Sequence, residues 1–154
     1  MDSLSNMATS ALAQVVRVIS TAESLRKPRL SMAPILIECG GIRVALLQIQ
    51  SLMSEVEEPA ANSIFSKAVM EKYPAALNAC SLTFISLNEQ LSKLSANETK
   101  SKYASDFSRK LRSLWNPSTE VQVETACQKI RGQTIAIGLL LHALQECVAH
   151  TRSA

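Results

Sequence analysis

The chain has 154 residues, 47% of them hydrophobic, with only four glycines and a formal net charge of +3. That length suits one domain with a real core, and the absence of any long alternating apolar run, together with abundant Ala, Leu, Ser, Gln, Glu and Lys, excludes a sheet protein and predicts an all-α fold. An excess of three basic residues is too small to imply a nucleic-acid partner, so the position of the charges matters more than their sum.

From Ser3 to Leu25, apolar residues recur at Leu4, Ala8, Ala11, Val15, Val18 and Ala22, with Leu12, Val16 and Ile19 widening the stripe. Four-three spacing predicts a helix with one buried seam. Its other face is unusual: Thr9, Ser10, Ala13, Gln14, Ser20 and Thr21 are small or neutral, and Arg17 is the only charge between Asp2 and Glu23. Arg26, Lys27, Pro28 and Arg29 then read as a basic loop, and Pro34 suits the first turn of a second helix. That helix repeats Ile35, Cys39, Ile42, Leu46, Ile49, Met53 and Val56. Gly40 and Gly41 within it predict either a kink or the close approach of another helix.

Asn62 is a candidate cap for a short helix bearing Ile64, Phe65, Ala68 and Val69, which Pro74 should stop or kink at Tyr73. A further helix carries the clearest heptad, Leu77, Cys80, Phe84, Leu87, Leu91 and Leu94. Ser95 to Ser101 reads as a polar loop. Lys102 to Leu114 reads as a shorter amphipathic helix, with Tyr103, Phe107, Leu111 and Leu114 on one side and Lys102, Arg109 and Arg112 on the other.

Pro117 followed by Ser118, Thr119 and Glu120 is a start signal for the last helix. Between Thr134 and Val148 this helix is apolar over well over half its circumference, which predicts a central post surrounded by the others. The expected architecture is therefore a bundle of four to six helices around a central hydrophobic C-terminal helix, all within one domain of residues 1–154.

Cys39, Cys80, Cys127 and Cys147 form no CxxC pair and fall on apolar helix faces, as reduced structural thiols do. The N-terminus carries no basic signal-peptide segment, which points to a cytoplasmic protein. No catalytic constellation is legible. His142 and His150 lack metal-ligand company, Gly132 and Gly138 make no phosphate loop, and no GxSxG surrounds any serine. The expectation is a non-enzyme without cofactor or metal. What stands out is the basic segment, Lys100, Lys102, Arg109, Lys110 and Arg112 with Arg26, Lys27 and Arg29, which is either an ordinary solvated face or a patch for anionic lipid. Stacking aromatics are too few for nucleic acid.

The opening Met1-Asp2-Ser3-Leu4-Ser5, the Leu-rich heptad helix, the basic segment ending Leu114-Trp115-Asn116-Pro117, then Lys129-Ile130-Arg131-Gly132-Gln133 and Leu139-Leu140-Leu141 carry a resemblance. The chain resembles the HeLo-like domains that stand at the N-terminus of fungal STAND proteins, ahead of NACHT, ankyrin or other receptor modules. That resemblance implies a helical signalling or executing module of non-self recognition and programmed cell death, which homo-oligomerises, releases its first helix and relocates from the cytoplasm to the plasma membrane. The inserting residues would be Leu4, Ala8, Ala11, Leu12, Val15, Val18, Ile19 and Ala22. The sensor would lie beyond Ala154 or in a partner protein, since the chain has no nucleotide-binding or repeat region. The rival expectation is a helical adapter that docks a partner or itself with no membrane step.

Overall fold

The computed structural model describes residues 4–25, 32–56, 63–101 and 117–153. Four helices account for nearly all of them: α1 (Leu4–Ser24), α2 (Ala33–Glu55), α3 (Lys67–Ser101) and α4 (Pro117–Ser153). Among the described residues there is no strand and no residue with positive φ.

Side-chain contacts set the directions of the helices. Tyr73 reaches Leu4 and Thr21 reaches Asn88, so α1 and α3 run parallel. Arg131 pairs with Glu38 and Arg152 with Glu55, so α2 and α4 run parallel as well. Gln50 meets Thr9 across the antiparallel α1–α2 pair. The extensive interfaces are α1–α2, α1–α3, α2–α4 and α3–α4. The result is a square of helices in which α1 lies diagonally across from α4. Put differently, two antiparallel hairpins, α1–α2 and α3–α4, lie side by side.

Each helix contributes one seam to the core at the expected four-three spacing. These are Ala8, Ala11, Val15, Val18 and Ala22 on α1, Ile35 to Met53 on α2, and Tyr73, Leu77, Cys80, Phe84, Leu87 and Leu91 on α3. Branched and aromatic side chains thus meet the small residues of α1 across the bundle.

Three expectations are corrected. First, Pro74 does not stop the helix. Ser66 opens the helix, its Oγ accepting a hydrogen bond from Val69 N–H, and the chain stays helical through Pro74 to Ser101. Second, Ser95 to Ser101, read as a polar loop, continues α3. Third, α4 is a corner of the square. It buries Ala126, Cys127, Ile130, Ile137, Leu140, Leu141 and Leu144, while Ile135 and Leu139 are 65% and 67% exposed. A helix with two neighbours covers only about half its circumference, so an apolar far side is left facing outward.

The helices also differ in length. Asn88 lies beside Thr21, close to the end of α1, so the last ten or so residues of α3 and the first turns of α4 run on together past the α1–α2 hairpin, about 15 Å at 1.5 Å per residue.

Candidate functional site

Among the described residues no three of His, Cys, Asp and Glu come together as metal ligands. An open groove of about 590 Å3 lies where Ser63 to Ser66 face Glu146, Cys147, His150 and Thr151 at the end of α4. His142 pairs with Glu146 at 3.2 Å on the exposed side of α4. All four cysteines are free thiols. Burial pushes Cys39 and Cys80 up to about 12, and it raises Cys127 as well, with Glu38 adding to the effect. A thiol so far from ionisation is a hydrophobe and not a nucleophile.

Two helix surfaces are left as candidates, and α1 is the first. Of the eight residues expected to insert into membrane, Ala8, Ala11, Val15, Val18 and Ala22 are fully buried, and Leu4, Leu12 and Ile19 are partly buried against the core. The outward face carries Thr9, Ser10, Ala13, Val16, Arg17 and Ser20. Arg17 is the only charged residue in α1 before Glu23. Thr9 donates its hydroxyl back to the carbonyl of Ser5, so part of this polar face is already satisfied within the helix. The expectation that α1 rests against α4 is replaced by its position between α2 and α3.

The second surface is the outside of α2, where Ile37, Val44 and Leu47 are 74%, 55% and 43% exposed. Sequence reading passed over these three residues, because the stronger inner seam of the same helix claimed the signal. Ile37 and Val44 are seven residues apart and Leu47 three further on, a spacing that sets them on the side of the helix away from the first repeat. By length and composition α2 is the one helix among the described residues apolar enough to cross a membrane, as core helices of soluble proteins also are.

Glu38 sits in the groove between α2 and α4, hydrogen-bonded by Arg131 Nε, while Glu124 lies 3.8 Å from the same guanidinium. The hydrogen bond from Arg131 to Glu38, with its charge, holds the arginine above its ordinary pKa. This ties the two parallel helices in register at an exposed site.

The residues expected to form a patch for anionic lipid fall almost wholly outside the description. Arg26, Lys27, Arg29, Lys102, Arg109, Lys110 and Arg112 lie outside the described residues, and Lys100 lies on the last turns of α3 with its side chain outside them.

Comparison with known proteins gives no match: no family model, no curated protein and no solved structure is significantly similar to the chain. The likeness to HeLo-like domains therefore rests on the residues quoted for it.

Proposed function

We propose that this chain is a non-enzymatic signalling and cell-death-executing module of a fungal non-self recognition system, in which assembly of several copies frees α1 to engage a membrane. The observation that supports this reading is the inequality of the seams. The fully buried residues of α1 are three alanines and two valines, whereas those of α2 are Ile35, Cys39, Ile42, Leu46, Ile49 and Met53. The α1 seam holds less than half the side-chain carbon of the α2 seam, a difference of several kcal/mol at about 0.8 kcal/mol per buried methylene. α1 is thus held by a lighter fully buried seam than α2, and a detachable helix with a second place to go is what a switch requires.

At 21 residues and about 1.5 Å each, α1 reaches roughly 30 Å, the thickness of a bilayer's hydrocarbon core. Its serines and threonines can bond within the helix or to sister helices, and in an oligomer Arg17 would face a watery centre. The basic residues around Lys100 to Arg112 and Arg26 to Arg29 would hold the assembly to anionic lipid, and a receptor module would supply the trigger. The protein would wait in the cytoplasm and move to the plasma membrane on activation. In such an assembly α4 would also be enclosed on its outer side, where Ile135 and Leu139 are now exposed.

A second reading, an oligomerising adapter with no membrane step, is favoured by the apolar outer faces of α2 and α4. The two readings separate in one experiment. Purified protein, forced to oligomerise by a fused tetrameric coiled coil, is mixed with dye-loaded phosphatidylserine vesicles. Leakage that disappears on deleting residues 2–22 or on Val15→Glu is the expected result. Intact vesicles with the full chain, or leakage that survives the deletion, would retire the executing role and leave the adapter.

A further inference from the structure

The seam that α4 turns to the core runs Ala126, Ile130, Gln133, Ile137, Leu140 and Leu144, a strict four-three repeat with an amide in its middle. The other five are buried apolar side chains, and so are the residues of the α1 and α2 seams. A polar side chain at such a position is costly unless its hydrogen bonds are met. They are not met: Gln133 Oε1 is shut off from solvent, and no donor among the described residues reaches it. The hydroxyl of Tyr73, which also lies in a seam, has the Leu4 carbonyl as its partner.

The contacts between helices explain the orphan. A Cβ placed on Gly41 would come to 3.9 Å from Thr134 Cγ2, Gln50 bonds Thr9, and Thr21 bonds Asn88. Counting along the helices from these points sets Gln133 within about one turn of the height of Val18 on α1, Ile42 on α2, and Phe84 and Leu87 on α3, all buried. None of those side chains carries a donor, and the N–H groups of helix interiors are already used.

The square arrangement gives this oxygen a direction of escape. The seam of α4 faces the centre of the bundle, and α1 closes the centre from the opposite corner. Departure of α1 opens that side to water, which hydrates the amide, so the cost of the orphan oxygen falls on the closed bundle alone.

We infer that Gln133 is a conformational device that sets how readily the bundle opens: its amide, standing where the repeat calls for an apolar side chain, weakens the closed arrangement and biases it towards release of α1. This rests on the detachment of α1 in the reading above and not on its membrane step. The test is native-state hydrogen exchange on the full chain, without lipid, with urea midpoints for every variant. Gln133→Met, which keeps the shape, and Gln133→Leu should both raise the midpoint and slow exchange of the α1 amides about tenfold. Gly40→Ala is the control, at a position where a Cβ meets nothing within 4 Å. It should raise the midpoint and slow α2 while leaving α1 exchange unchanged. A lower midpoint in both Gln133 variants would overturn the inference, since a water held in the core would then already satisfy the oxygen. A higher midpoint with unchanged α1 exchange would overturn it too, because departure of α1 would not uncover the amide. If Gly40→Ala slowed α1 as much as α2, α1 would open only with the whole bundle, and the detachment itself would fall.

Discussion

The phenolic hydroxyl of Tyr73 on α3 donates to the backbone carbonyl oxygen of Leu4, 2.6 Å away, at the first residue of α1. Tyr73 is fully buried, and burial holds its phenol well above the ordinary tyrosine range, so the proton stays in place to make that bond. The bond ties the start of α1 to a rigid neighbour. Tyr73→Phe should lower global stability by about 1 kcal/mol, the net worth of one such bond. More tellingly, it should speed hydrogen exchange in the first turns of α1 while exchange in α2 hardly changes. Equal acceleration everywhere would show that the bond is not a local latch.

Leu139 and Leu140 are neighbours in sequence on α4, about 100° apart around the helix and 67% and 6% exposed. Leu140→Asp should destabilise the domain by several kcal/mol, because it buries an unpaired carboxylate. Leu139→Asp should shift the urea midpoint of the dilute protein by less than about 0.5 kcal/mol equivalent. Equal damage from both would restore the surrounded post and refute the corner position.

That pair also shows what the sequence could and could not tell. The inner seams of α1, α2 and α3 were legible because a four-three repeat set against polar residues has one interpretation, and Ala8, Ile42 and Phe84 are buried as expected. Thr134 to Val148 was not, because hydropathy records that a side chain avoids water without saying which neighbour covers it. The continuity of α3 through Pro74 was hidden for a different reason. A proline removes one hydrogen bond and disfavours a helix locally, yet the packing of Tyr73 and Leu77 on either side holds the backbone helical. On the candidate site, α1 was read as a helix with a small-residue seam, whereas the outer seam of α2 was overlooked beside a stronger signal on the same helix.

Alkaline pH should weaken the fold. Cys39 and Cys80 ionise at about 12 when folded, against an ordinary value of 9.0. Between those limits the unfolded chain has lost protons that the folded chain retains. Stability is therefore full below pH 9 and falls as pH rises towards 12, by at most about 1.4 kcal/mol per pH unit for each group. Urea midpoints measured across that range should show the decline. Cys80→Ala should make the decline shallower, whatever it does to stability at neutral pH, and an unaltered slope would mean that this thiol does not contribute.

Thiol labelling should be ordered by burial. Cys39, Cys80 and Cys127 are buried, and Cys147 is only partly so, at the edge of the groove beside Ser63 to Ser66. Under native conditions a small alkylating reagent should modify Cys147 well before the other three, as peptide mass mapping would show. Early modification of Cys80 would mean that the α3 seam opens far more readily than its contacts imply.

The side-by-side hairpins carry a consequence for how the chain can be taken apart. Within each hairpin the partners are successive along the chain, so each half can form from short-range contacts, and only the α1–α3 and α2–α4 faces require the halves to meet. The connection between Val56 and Ser63 then serves mainly to raise the concentration of one half around the other. Two separately made peptides, 1–56 and 63–154, should recombine on mixing into the same helical bundle, with a concentration-dependent melting temperature as the mark of fragment complementation.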